Sequence, residues 1–292
     1  MIDPHIQAML AAMAESGFQL PDPLEAISLR AILDAPIPAP PVEIAERRDV
    51  SIEAEAAALS ARLYHPEPGE VLPVVLFFHG GGWVHGTLDT HDRLSAILAV
   101  QARCAVISVD YRLAPEDPFP AAWDDALNAL GWIKEHHSEL GIDASRIALA
   151  GDSSGGNLAA AAAQAVAGDP AIVHQLLIYP ALDGRCATPS FAEDHPGFLS
   201  TAQMRWYWDQ YAPGEIRADP RASPAAALNL DGTAPATIIV AGNDPLHDDG
   251  VAYAKKLQAA NVAVALHTYP DAIHGFASLF GMVPVADEAV AT

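Results

Sequence analysis

Three residue types that nucleophilic catalysis requires follow one another along this chain as Ser153, Asp244 and His274. A serine hydroxyl is a weak nucleophile on its own. A neutral imidazole that takes its proton, steadied by a carboxylate that fixes the tautomer, lets it attack an acyl carbonyl. Ser153 lies in the stretch Arg146 to Leu158, RIALAGDSSGGNL. The apolar run Ile147 to Ala150 reads as a strand buried on both faces. Gly151 to Gly156 breaks it, and Asn157 to Val166 follows as a run of helix formers. Strand, tight glycine turn and helix is the setting in which G-x-S-x-G acts as a nucleophile elbow. Three fixed positions arise by chance in roughly one chain in ten of this length, so the flanking strand and helix carry the reading.

The base and the acid come after the serine. Asp244 follows the predicted strand Thr237 to Ala241, in GNDPL. A carboxylate there sits at the carboxyl edge of a parallel sheet, as Ser153 does. Asp248 and Asp249 are rivals, although they also read as the N-terminal acids of the next helix. His274 follows the last predicted strand, in YPDAIHGF. His136 and His137 read instead as a solvated helix end, and His267 as a strand residue. A second motif, HGGGW at 79–83, follows the buried strand Val74 to Phe78. Consecutive glycines let backbone N–H groups turn toward a ligand oxygen, and acyl transfer needs such donors as well as a nucleophile.

The positioning elements alternate. Apolar spacing at Ile6, Met9, Leu10 and Met13 predicts an amphipathic helix over 4–15, with a second over 24–33. A proline-rich link, Pro36 to Pro41, ends this section. Glu43 to Glu53 and Ala57 to His65 read as two antiparallel strands. Helices are predicted over Thr90–Arg103, Ala121–His137 and Asp248–Asn261, and strands over Ala105–Val109, Val173–Tyr179 and Ala263–Tyr269. Between Asp183 and Arg217 the rhythm changes: Pro189, Pro196 and Pro213 punctuate an aromatic segment. Alternating strands and helices predict an α/β fold with a mostly parallel, helix-covered sheet.

The chain has 292 residues, 15 basic against 37 acidic, for a net charge of −22. Such a surface repels phosphate backbones and anionic lipid, which argues against nucleic-acid or membrane partners. Cys104 and Cys186 are the only cysteines and read as unpaired thiols in a reducing, cytoplasmic setting. The N-terminal stretch lacks a basic leader and does not read as a signal peptide. The longest apolar run, Val71 to Phe78, is a strand interrupted by Pro73 and is far short of a membrane span.

With these motifs together, the chain resembles the bacterial hormone-sensitive-lipase-like carboxylesterases (family IV) of the α/β-hydrolase superfamily. The matches are HGGGW at 79–83, DYRLAPE at 110–116, GDSSGGNLAA at 151–160, DPLHD at 244–248 and HGF at 274–276. The resemblance implies Ser153 as nucleophile, Asp244 as acid and His274 as base, with oxyanion donors from the N–H groups of Gly81, Gly82 and Ser154. It implies a helical cap from residues 1–42 and 183–217 over a catalytic domain of 43–182 and 218–292, with no metal or organic cofactor. Three departures stand out. Ser154 replaces the usual alanine of the elbow. His247 stands where the family often has arginine. The family also typically continues into a fuller C-terminal helix than a chain ending at Thr292 holds, so a shortened one is expected.

The expected substrate is a small soluble ester of short acyl chain, with Trp83, Phe198, Leu199, Met204 and Trp208 as pocket candidates, though at least half of the aromatics should only pack the cap. An amide hydrolase of arylformamidase type is the related alternative. A non-catalytic ligand-binding module, as in the plant gibberellin receptors that resemble this family, is disfavoured because His274 is present. The last strand, at a sheet edge with little charge protection, makes a homodimer the expected partner.

Overall fold

Apolar runs that must hide both faces become the inner strands of a single sheet. The computed structural model describes residues 2–35, 38–53, 58–193, 195 and 197–292. Helices α1 (Pro4–Glu15) and α2 (Ala26–Leu33) lead into strands β1 (Glu46–Ile52), β2 (Leu59–His65) and β3 (Leu72–Phe78). Then come α3 (Asp92–Ala102), β4 (Ala105–Val109), α4 (Ala121–Glu135), the short α5 (His137–Leu140), β5 (Ile142–Asp152), α6 (Ser154–Ala165) and β6 (Ile172–Ile178). The chain closes with α7 (Thr201–Tyr211), β7 (Ala236–Asn243), α8 (His247–Ala259), β8 (Val264–Ile273) and α9 (Pro284–Ala291). Part of the Pro36–Pro41 link, the first residue of the predicted Ala57–His65 strand, and Pro196 lie outside the described residues.

The sheet order is β1-β2-β4-β3-β5-β6-β7-β8. β2 runs antiparallel to both β1 and β4, and every later pair is parallel. Side chains alternate between two apolar layers, as strand geometry requires. Val74, Leu76 and Phe78 of β3 join Ile147 and Leu149 of β5 in one layer. Phe77 and Ala150 face the other. Helix α6 is almost wholly alanine and glycine where it meets β5 and β6. Small side chains there let a buried helix approach the sheet closely, a packing reason for its composition that helix propensity alone does not give.

Most element ends differ by a few residues from the sequence reading, and three of the differences bear on the site. β3 continues through Pro73, and its pairing with β5 shifts register between Leu72 and Val74. α6 begins at Ser154 and not at Asn157, because the turn is complete at Ser153. β8 does not stop at Tyr269 but runs through Pro270 to Ile273. An edge strand tolerates a residue with no N–H, and the Asn243 amide donates to the Pro270 and Ala272 carbonyls, both at 3.1 Å, across the register break with β7. That extension brings the chain to His274. The parallel order also places the carboxyl ends of β3, β5, β7 and β8 along one edge of the sheet.

The segment between β6 and α7 is tied to the start of α8. Asp249, fully buried, accepts the Leu182 and Asp183 N–H groups at 3.1 and 3.0 Å, and its other oxygen meets the Thr188 hydroxyl at 3.0 Å. Asp248 accepts the Ser190 N–H at 2.9 Å. Burial pushes the Asp249 carboxyl up to about 8, against the donors that favour its anion. Between the ordinary carboxyl value of about 4 and about 8 the carboxyl is neutral when folded and charged when unfolded. Folding then takes up a proton, so stability falls as pH rises through that window. An asparagine side chain in its place would offer the same acceptor and donor with no charge. Asp249→Asn therefore raises the melting temperature at pH 8 relative to the parent chain, and the gap closes toward pH 4, as calorimetry across that range would read.

Candidate active site

Ser153 occupies the sharp turn between β5 and α6 with φ 54° and ψ −116°. A non-glycine residue there costs on the order of 1–3 kcal/mol, and the surrounding backbone must hold it. Gly155 supplies the room: a Cβ at that position would lie 1.9 Å from the Phe78 carbonyl oxygen. The Ser153 N–H donates to the Ile178 carbonyl at 2.8 Å, and its carbonyl accepts the Asn157 and Ala181 N–H groups at 3.1 and 3.2 Å. The hydroxyl is left for chemistry.

His274 Nε2 lies 2.9 Å from Ser153 Oγ, and His274 Nδ1 lies 2.7 Å from Asp244 Oδ2. Asp244 has no exposed surface, and its other oxygen accepts the Leu246 N–H at 2.8 Å. The imidazole also packs against the Tyr179 ring, centroids 4.9 Å apart. Serine, imidazole and carboxylate thus form one hydrogen-bonded line, each from the carboxyl end of a different strand. The rivals Asp248 and Asp249 point to the 182–190 segment, as above. His247, in place of the family's arginine, faces the Ala241 carbonyl at 2.8 Å through Nδ1.

Beside this line runs the glycine loop. Among the described residues the Gly81 and Gly82 N–H groups have no acceptor, and Ser154, as the first residue of α6, has none within its helix. The loop is held from below by residues to which the sequence reading gives no role. Asp152 accepts the Gly80 N–H at 2.8 Å, and His91 Nε2 lies 3.2 Å from the same carboxylate. Burial pushes the Asp152 carboxyl up, but the His91 imidazole and the Gly80 N–H outweigh it and hold the group below the usual range. The Tyr111 hydroxyl donates to the His79 carbonyl at 2.8 Å, and its ring stacks on His79 at 4.4 Å. Burial, then His91 nearby, push the His79 imidazole down to about 3, so it is neutral. DYRLAPE is visible as a motif, but only its place next to HGGG in space reveals what Tyr111 does.

A family model of the alpha/beta hydrolase fold matches residues 75–278. The chain belongs to that family, in its hormone-sensitive-lipase-like branch. It is 42% identical over 294 residues to carboxylic ester hydrolase LipN of Mycobacterium tuberculosis, covering 96% of this chain and 78% of that protein. It is 43% identical over 241 residues to the ethyl acetate hydrolase of Pseudomonas putida, covering 80% and 76%. Among solved structures, ester-hydrolase EH1AB1 from the metagenome of Lake Arreo, complexed with a derivative of bipyridine phosphonate, matches with a TM-score of 0.92. The identity is 38%, over 100% of this chain and 96% of that one.

In this α/β hydrolase the pocket candidates divide by burial. Trp83 and Trp208 have no exposed surface. Trp83 stacks on Tyr211 at 4.3 Å and meets Trp208 at 4.6 Å. These rings pack α7 onto the glycine loop and give no surface to a ligand, so packing replaces the lining role expected for both. Met204 is buried in the same layer. Leu199 is 7% and Phe198 36% exposed. They follow Gly197, where a Cβ would contact Ile273 next to His274, which puts this short stretch near the imidazole. Tyr207, not among the candidates, lies against Gly82 itself. Gly155→Ala tests the close approach behind the elbow: it destabilises the fold by about 3 kcal/mol through backbone overpacking, read as a lowered urea midpoint.

Proposed function

We infer that the chain is a serine carboxylesterase hydrolysing small esters of short acyl chain through an acyl-enzyme. The observation that carries this reading is the unbroken line from Ser153 Oγ through His274 to buried Asp244, 2.9 and 2.7 Å, beside free backbone donors. His274, neutral, takes the Ser153 proton as Oγ attacks the ester carbonyl. Asp244 holds the tautomer and stabilises the imidazolium. The N–H groups of Gly81, Gly82 and Ser154 receive the oxyanion, worth several kcal/mol in the transition state. His274 then returns its proton to the leaving alcohol, and water, activated by the same imidazole, releases the acid.

The relatives named above are ester hydrolases, which favours esters over the N-formyl amides of the alternative reading. Residues 183–217 with the N-terminal helices act as the cap, and 43–182 with 218–292 as the catalytic domain. Phe198 and Leu199 are the pocket residues this reading retains. Among the described residues no helix is long and apolar enough to cross a membrane, and both cysteines are free and buried; a cytoplasmic enzyme is consistent with this. Edge strand β8 exposes Leu266 and is the proposed seam of a homodimer, for which light scattering at micromolar concentration gives twice the chain mass; a monomer mass rejects it.

Ser153→Ala lowers kcat on the order of 10⁴- to 10⁶-fold, and His274→Asn nearly as much. Asp244→Asn costs about 10⁴-fold, far more than Asp248→Asn; the reverse order would move the acid. With p-nitrophenyl esters below their aggregation limits, kcat/KM peaks between roughly two and six acyl carbons. Each CH₂ that can be buried adds about 0.8 kcal/mol until the roofed pocket is full. A maximum at long chains rejects the short-chain reading.

A further inference from the structure

The glycine loop is gripped from above as well as below. Helix α7 sets the Tyr207 ring directly on Gly82: a Cβ on Gly82 would fall 2.3 Å from the ring. The Tyr207 hydroxyl lies 3.1 Å from His85 Nε2. His85 in turn closes the tight turn on Gly81. Its N–H donates to the Gly81 carbonyl at 3.0 Å, and its own carbonyl sits where a Gly81 Cβ would be. One tyrosine therefore touches both glycines whose N–H groups meet no acceptor among the described residues, Gly82 by its ring and Gly81 through His85. Tyr207 is buried at 7% exposure, and the His85 side chain is 17% exposed. Burial, then His91 and Arg30, push His85 down to about 4, so the contact is between neutral groups through the working range of an esterase.

The far side of the loop is fastened to the N-terminal segment. Arg30 of α2 donates through Nε to the Val84 carbonyl at 2.7 Å, and Asp34 accepts the Gly86 N–H at 2.7 Å. Next to the Tyr207 contact, Trp83 stacks on Tyr211 of the same α7. Glycines have no side chains with which to hold their own positions, and the Gly81 and Gly82 φ angles, 122° and 60°, are open to them alone at little cost. What fixes such donors must come from outside the loop.

Resting on the carboxylesterase reading above, we propose that the Tyr207–His85 pair is a positioning device for the oxyanion loop, through which the seating of α7 sets the Gly81 and Gly82 donors for catalysis. The pair acts on the transition state and not on substrate binding, because the donors gain most as charge develops on the carbonyl oxygen.

Turnover of p-nitrophenyl acetate tests this. Tyr207→Phe keeps the ring and loses the hydroxyl; it lowers kcat about tenfold, and Tyr207→Ala about a hundredfold, each with KM nearly unchanged. His85→Leu matches Tyr207→Phe. His85→Gln, whose amide reaches the Nε2 position, recovers most of the loss. Affinity for an arylboronic acid, which bonds to the serine oxygen and places a negative oxygen in the same hole, falls by the same factors as kcat/KM. Thermal melts of each variant separate lost folding from lost positioning. Wild-type kcat in Tyr207→Phe and His85→Leu overturns the proposal. So does a loss carried in KM with unchanged boronic acid affinity, or one accounted for by the unfolded fraction. A wild-type chain that hydrolyses no ester and binds no boronic acid removes the esterase reading itself, and this proposal with it.

Discussion

Three backbones meet behind Ser153 with no side chain between them. The last residue of β3, the end of β5 and the first turn of α6 come so close that a Cβ on Gly151 or Gly155 would overlap the Phe78 carbonyl. This contact holds Ser153 in its costly conformation, and it does more. The glycine loop begins at His79, the residue after Phe78. Fixing Phe78 against α6 therefore fixes the start of the loop beside the serine and the free N–H of Ser154. Elbow and donors are one packed object, and the two apolar layers of the sheet keep it rigid.

The loop itself is less well held by its own chain. Asp152, His91 and Tyr111 secure its start. Arg30 of α2, Asp34 at its end, and Tyr207 and Tyr211 of α7 secure the rest from outside the sheet, Tyr211 by stacking on the loop's own Trp83. Helices α2 and α7 thus hold the backbone whose N–H groups are the proposed oxyanion donors. On the other side, Asp248 and Asp249 fasten the start of the segment that leads to α7 to the stretch that carries Asp244. The stretch from β6 to the end of α7 is therefore attached near both Asp244 and the glycine loop.

Much of this is legible in the sequence. The elbow is readable because buried strand, glycine turn and alanine helix are each written locally, and Asp244 and His274 are readable because each follows a predicted strand in the order expected of an α/β hydrolase. What stays hidden depends on contacts across the fold. Nothing near Asp249 in the chain announces that it binds Leu182 and Thr188. β8 reads as ending at Tyr269 because Pro270 is a local stop signal, and only the edge position of the strand relaxes that rule. Trp83 and Trp208 look like pocket residues because aromatic character is visible in sequence and burial is not. Tyr207 escapes notice for the converse reason: its partner is a glycine, which leaves no side-chain signal.

The central claim is that Ser153, activated by His274, is the residue that bonds to the acyl group. Labelling with an alkyl fluorophosphonate, followed by peptide mass spectrometry, tests it most directly. One phosphonate per chain, on the peptide carrying Ser153, with labelling and ester turnover lost together and the His274→Asn variant labelled far more slowly, is the result predicted. A label on another residue, or full ester turnover in chains whose Ser153 is already phosphonylated, would contradict the account.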